Sequence, residues 1–313
     1  MSKALSSLLL PVAVAALFAG CASSSIGAQN ASGGNGAPAL SMGELLRASD
    51  PDDWRGLDPE NTLYMELDVG RVIIELAPGF APAHAANVRT LAREHFWDGR
   101  SIYRSHDNFV VQWGDPEEGE ARRSIGSARD AIPAEFERSA RGLDFHRLAD
   151  SDGWAPEVGF VDGFPAARDP AEGVAWLAHC YGMVGAGRGM EADSSIGTEL
   201  YAVTGQSPRQ LDRNITLLGR VVHGIELLSP VSRGTGPLGF YEDPQQRTPI
   251  RSVRLAADVP EAERTPLQLL RTDTAVFDAV VESRRNRGDD WYKRPAGHID
   301  LCNVPLPTRV AGE

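Results

Sequence analysis

Cysteine is scarce in this 313-residue chain, with only Cys21, Cys180 and Cys302, and none of the three belongs to a Cys-x-x-Cys pair. The seven histidines include no His-x-His or His-Glu-x-x-His arrangement, so the local signatures of a zinc centre are missing. No Gly-x-Ser-x-Gly elbow is present to raise a serine nucleophile. The glycine cluster Gly185 to Gly189 fails as a dinucleotide fingerprint, because Met190 stands where Gly-x-Gly-x-x-Gly needs its third glycine and no βαβ unit follows. A turn accounts for it better. Long basic runs are absent too: Arg122-Arg123 and Arg284-Arg285 are short pairs, and the formal charge is −12. A phosphate backbone is held by clustered Lys and Arg, so this balance argues against nucleic acid as a partner. The apolar run near the start is shorter than the about 20 residues of a membrane span, and no internal repeat is seen.

What is present is the composition of an ordinary globular protein. Hydrophobic residues at 42% and charged residues at 24% allow a sizeable core, in one large domain or two small ones. Residues 1–20 carry the sharpest local signal. Lys3 is followed by an apolar run to Phe18 and then Ala-Gly-Cys, the layout of an export signal peptide. The stretch LFAGC resembles a bacterial lipobox, with Phe18 where leucine is commoner. It implies cleavage before Cys21 and acylation of its thiol, with plain secretion as the alternative. The protein is thus expected to be exported and held at the periplasmic face of a bacterial envelope by an N-terminal lipid, its only membrane contact. Residues 21–60 read as a flexible Ser/Gly/Ala-rich tether, of which ~20 residues would reach about 25 Å. With Cys21 acylated, Cys180 and Cys302 are left in an oxidising compartment, where a disulfide and a pair of buried free thiols are both open.

Order is expected from Asn61. Leu63 to Leu67 and Arg71 to Leu76 read as strands across an Asp-Val-Gly turn and predict a hairpin. Ala81, Ala85, Val88, Leu91 and Ala92 then share one helical face, with Pro82 tolerated in the first turn. Ser101 to Pro116 reads as buried strand again, yet it carries Arg104 and Gln112. From Gly182 the segments GMVGAG, TELYAVTG, NITLLGRVV, IELLSPV and IRSVRLA read as short strands punctuated by Gly and Pro. That pattern predicts a mainly antiparallel sheet closed as a barrel or sandwich. Residues 141–179 read as an irregular surface insertion. In 260–313, PLQLLRTDTAVFDAVVESRRNRG predicts a docked helix and HIDLCNVPLPTRV an extended tail.

On pattern alone Arg104 would be an edge residue reaching for solvent. Its surroundings, FWDGRSIYRSHDNFVVQWGDP, resemble the cyclophilin family of peptidyl-prolyl cis-trans isomerases, whose members carry an arginine-bearing strand, a short turn and an apolar strand ending in Gln-x-Gly-Asp. GRVIIELAPGFAPAHAANVRTL resembles the family's opening hairpin and first helix, and IPAEF its next landmark. GMVGAGRG, GTELYAVTG and LDRNITLLGRVVHGIELL resemble its later segments, in order. The resemblance spans 61–259. It implies a mainly β fold: a closed eight-stranded antiparallel barrel with two flanking helices, to which the irregular insertion and a C-terminal helical extension are added. It also implies Arg104 as the catalytic residue, with Phe109, Val110, Gln112, Gly187, Arg188, Leu200, Tyr201 and Leu211 binding substrate along an outer face of the barrel.

The implied chemistry needs these residue types. Rotation about a peptide bond is opposed by about 18–20 kcal/mol because the nitrogen lone pair is delocalised into the carbonyl, and X-Pro bonds isomerise over roughly tens of seconds or more. A guanidinium beside the prolyl nitrogen can hydrogen-bond that lone pair as it localises in the twisted transition state, an interaction absent from the planar ground state. Arginine stays protonated and holds its donors in a rigid fork. The expected partners are proline-containing polypeptides met by a monomer, and the chemistry calls for no cofactor, metal or covalent intermediate. Departures from the family pattern fall on the far wall of the groove. Gln210 stands where many members have tryptophan, Ile215 where they have histidine, and Thr198-Glu199-Leu200-Tyr201 replaces Ser-Gln-Phe-Phe. The tryptophan position governs binding of the family's cyclic-peptide inhibitor, so weak sensitivity to it is implied. A competing reading keeps the barrel as a non-catalytic binding or chaperone module, with 141–179 as its partner surface.

Overall fold

The computed structural model describes residues 40–117, 121–289 and 291–311. The signal peptide 1–20, Cys21 with its expected acylation, and the tether as far as residue 39 lie outside the described residues. In chain order the elements are α1 (Met42–Arg47), β1 (Trp54–Gly56), β2 (Thr62–Leu67), β3 (Gly70–Leu76), α2 (Pro82–Arg93), β4 (Ser101–Ser105), β5 (Val110–Gly114), β6 (Arg138–Ser139), β7 (His146–Arg147), β8 (Glu157–Val161), β9 (Phe164–Asp169) and β10 (Val174–Leu177). They continue with β11 (Met183–Ala186), β12 (Leu200–Val203), β13 (Leu217–His223), α3 (Ile225–Leu228), β14 (Thr248–Leu255), β15 (Leu267–Leu270), α4 (Ala275–Arg285) and β16 (Thr308–Val310).

Side-chain alternation builds the barrel. Leu63, Met65 and Leu67 of β2, with Val72, Ile74 and Leu76 of β3, join Ile102, Val111, Trp113 and Val253 in one buried cluster. Strands pair in the order β11-β12-β5-β4-β14-β2-β3-β13 and close on β11, so this sheet has no free edge. Tyr64 and Ile73 face the other way, where Leu267 and Leu269 of β15 cover them. Both faces of the first hairpin are therefore buried. Helix α2 lays Ala85, Val88, Leu91 and Ala92 on the barrel cluster, as its spacing predicts. Its early N–H groups at Ala83 and His84 donate to the Glu135 carboxylate, each at 2.9 Å. That cap is what ties the IPAEF segment to the helix.

Four features differ from the sequence reading. Residues 141–179 are not irregular: they supply most of a five-stranded antiparallel sheet, β6-β10-β9-β8-β7. Asp162 and Gly163 join β8 to β9 with φ of 50° and 84°, the tight turn that an Asp-Gly pair favours between strands. This sheet has its own core, in which Phe160 and Trp176 pack with Phe277 of α4, Trp54 of β1 and Leu301. The tether read as far as residue 60 ends earlier, because Ser41 and Glu44 form a reciprocal capping box that starts α1. β1 then pairs with β15, Trp54 opposite Leu270. The segment IELL is one helical turn, entered through left-handed Gly224 (φ 82°), where a strand was expected. Finally, Leu267–Leu270 is strand, and the predicted helix starts only at Ala275, where Thr274 Oγ1 accepts from Phe277 N at 3.3 Å.

Of the two states open for the remaining cysteines, the structure has the bridge. Cys180 and Cys302 are bonded (S–S 2.04 Å) across a sequence separation of 122.

Candidate active site

β4 and β5 pair at Ile102 and Trp113 and resume at Arg104 and Gln112, leaving Tyr103 as an extra residue. This bulge re-aims the strand. Ile102 stays in the barrel core, while Arg104 turns to an outer groove of about 370 Å³. The hairpin turn that follows, closed by His106 N to Val110 O at 2.9 Å, presents Phe109 and Val110 to the same groove. Gly187 and Arg188 line it after β11, Tyr201 from β12, and Leu211 and Ile215 from the loop before β13.

Of the substrate-binding residues read from the sequence, one is misplaced. Leu200 does not line the groove; it is 1% exposed and points into the barrel core. The reason is strand parity: with Tyr201 facing outward beside Val110 and Val203, its neighbours Leu200 and Ala202 must face inward. By the same rule Glu199 faces the groove, and it does. The alternation needed to place it was legible in the sequence. Phe240 also lines the groove, and no local pattern announced it. It arrives from the loop between α3 and β14, which bridges to β4 through an Arg104 to Phe240 pairing.

The Arg104 guanidinium is held from several sides. Nε donates to Leu238 O at 2.8 Å, Nη1 to Gln112 Oε1 at 3.0 Å, and Nη2 lies 3.3 Å from His106 Nδ1. Phe109 and Phe240 flank it at 5.7 and 5.2 Å from their ring centres, within range of cation–π attraction. Burial pulls its pKa below the ordinary arginine value, yet a guanidinium remains protonated at any working pH. No described carboxylate forms an ion pair with it.

The opposite wall is also braced. The Tyr201 ring lies across Gly185, where any Cβ would overlap it. Its hydroxyl is 3.0 Å from His179 Nε2, and His179 Nδ1 is 2.9 Å from Asp212 Oδ1. Arg209 Nε donates to the second Asp212 oxygen at 2.6 Å and its Nη1 to Asp152 at 3.0 Å. These groups are buried, so the aromatic wall is fixed from behind by a chain of polar contacts reaching toward the second sheet.

Residues 62–255 match the family model described as cyclophilin type peptidyl-prolyl cis-trans isomerase/CLD. The chain belongs to the cyclophilin family. The matched span runs from β2 to β14 and so takes in the whole cyclophilin barrel. Among solved structures, the cyclophilin AquaCyp293 from Hirschia baltica shares the fold with a TM-score of 0.68 and 24% identity, covering 87% of this chain and 97% of its own. A probable peptidyl-prolyl cis-trans isomerase of Brucella suis is 34% identical over 108 residues, which are 32% of this chain and 52% of that one. The chain therefore spans about half the length of that relative. The human peptidyl-prolyl cis-trans isomerase-like 1 is 26% identical over 215 residues, 69% of this chain and 99% of its own. Against the cyclophilin pattern, Arg104, Phe109, Val110, Gln112, Gly187, Arg188, Tyr201 and Leu211 are gathered around one groove, whereas Leu200 is not.

Proposed function

We propose that this groove accelerates rotation about X-Pro bonds in proline-containing polypeptides, with Arg104 as the catalytic residue. The observation that carries the reading is a guanidinium without a described carboxylate partner at the edge of an apolar pocket made by Phe109, Val110, Leu211 and Ile215. Of the five N–H donors of a guanidinium, the contacts to Leu238, Gln112 and His106 occupy three. One N–H remains on each terminal nitrogen. Such a donor can meet the prolyl nitrogen only as its lone pair localises, which lowers the barrier without stabilising the planar bond. The apolar pocket grips the pyrrolidine ring, and Gln112 steadies Arg104.

The Cys180–Cys302 bridge suits an oxidising compartment. Together with the apolar segment before Cys21 it supports an exported protein, lipid-anchored at the periplasmic face of the envelope. A protease-coupled assay on a short Ala-Pro peptide tests the activity: wild-type protein accelerates isomerisation, and no acceleration at any protein concentration overturns the proposal. Mass spectrometry of the mature N-terminus tests the anchor, expecting an acylated Cys21; an unmodified Cys21 counts against it.

A further inference from the structure

Behind Arg104 a run of hydrogen bonds leads inward to a carboxylate. Arg104 Nη1 donates to Gln112 Oε1 at 3.0 Å, Gln112 Nε2 donates to Tyr103 Oη at 2.5 Å, and Tyr103 Oη donates to Glu199 Oε2 at 2.7 Å. Every role in this run is forced by its neighbour. A guanidinium only donates, so the amide must offer it the oxygen and turn its NH2 to the phenol. The phenol then has one proton to give, and an ionised carboxylate is the acceptor that takes it.

The surroundings are shaped to the run. The Tyr103 bulge is what brings tyrosine and arginine together at the groove. A Cβ at Gly114 would overlap the Glu199 carboxylate, so the glycine leaves that carboxylate its place. The second carboxylate oxygen accepts from Asp115 N at 2.9 Å, so Glu199 is held at both ends. A glutamine in its place has a single oxygen and could serve Tyr103 or Asp115 N, not both.

We propose that Glu199 and Tyr103 are positioning residues of this site: they lock the Gln112 amide in the one orientation that presents its oxygen to Arg104, and so hold the guanidinium for the substrate. This rests on the isomerase reading. It also makes the site responsive to pH. The groups facing Glu199 are Tyr103 from β4, Asp115 beyond β5 and Arg122 from the loop after it. Asp115 is itself paired with Arg100 at 3.0 Å. Burial pushes the Glu199 carboxyl up to about 6, and the neighbouring Asp115 charge adds to that, against the hydrogen bonds from Tyr103 and Asp115 N and the Arg122 charge. As pH falls through that value one oxygen takes a proton, a single acceptor is left for the two donors Tyr103 Oη and Asp115 N, and the run loosens.

The test is kcat/KM from about pH 5 to about pH 8 for wild type, Glu199→Gln and Tyr103→Phe, with Arg104→Ala as reference. Wild type should fall with decreasing pH through an inflection near 6. Both variants should be lower by about tenfold with KM little changed, the loss expected for one hydrogen bond made in the transition state, and flat across that inflection. The Arg104 Nε–H resonance of the full chain, followed by NMR, needs no activity: it should titrate near 6 in wild type and lose that inflection in Glu199→Gln, which separates Glu199 from His106, whose Nδ1 lies 3.3 Å from Arg104 Nη2. A Glu199→Gln enzyme within about twofold of wild type with an unchanged pH profile, or an Arg104 resonance indifferent to pH, overturns the positioning role. An inactive wild type, or activity indifferent to Arg104→Ala, overturns the isomerase reading instead.

Discussion

Replacing Cys180 and Cys302 together with alanine removes a cross-link between residues 122 positions apart. In the chain-entropy treatment, opening a loop of that length restores about 16 cal/mol/K to the unfolded chain, or roughly 5 kcal/mol near 25 °C. The native state changes little in this account. Leu301 and Val304 stay buried on either side of Cys302, and β16 keeps its pairing with β15, Leu269 opposite Thr308. The effect should therefore lie in the unfolded ensemble. Guanidinium unfolding of the oxidised wild type and the double variant, followed by circular dichroism, should show a loss of about 3–5 kcal/mol and a larger denaturant slope as the freed chain expands. Reduction of the wild type should reproduce the variant. A loss below about 1 kcal/mol with an unchanged slope would mean that the bridge does not act by restricting the unfolded chain, since closing so long a loop cannot be that cheap.

Two further predictions follow from burial. Leu200→Ala should lower stability by about 2–5 kcal/mol, as for a deleted core leucine, and leave KM for a proline peptide unchanged. Leu211→Ala should do the reverse; equal effects on KM would show that Leu200 meets substrate after all. Asp152→Ala takes the 3.0 Å partner from the terminal nitrogens of the buried Arg209 but leaves its 2.6 Å contact with Asp212, and should cost about 1–3 kcal/mol, the penalty for buried donors left without an acceptor. A shift within about 0.5 kcal/mol, typical of an exposed site, would place that pair at the surface.

The barrel was legible because its strands alternate cleanly: Leu63, Met65 and Leu67 could point only one way once one face was apolar. The second sheet was not, although Asp162-Gly163 between Gly159-Phe160-Val161 and Phe164-Pro165-Ala166 is a strong hairpin signal. Its strands are short and their covering layer, α4 with Trp54 and Leu301, comes from both ends of the chain. The pairing of β1 with β15 is invisible for the same reason, since three residues carry no periodicity and their partner lies far downstream. At the site, Arg104 and Gln112 were readable from the family pattern, and strand parity would have exchanged Leu200 for Glu199. Phe240 and the Leu238 carbonyl could not be foreseen, because loop geometry, not residue pattern, brings them to Arg104. Nor does the pattern show the Tyr103 bulge, which depends on how β4 and β5 pair.

The most direct test of the central claim is kcat/KM of Arg104→Ala and Arg104→Lys on an Ala-Pro peptide, beside wild type and with matched circular dichroism spectra. Alanine should lose roughly 100-fold or more, the scale of removing one aimed transition-state donor, and lysine should recover only part of it, because its point charge lacks the fork. A folded Arg104→Ala protein within about threefold of wild type would contradict the claim.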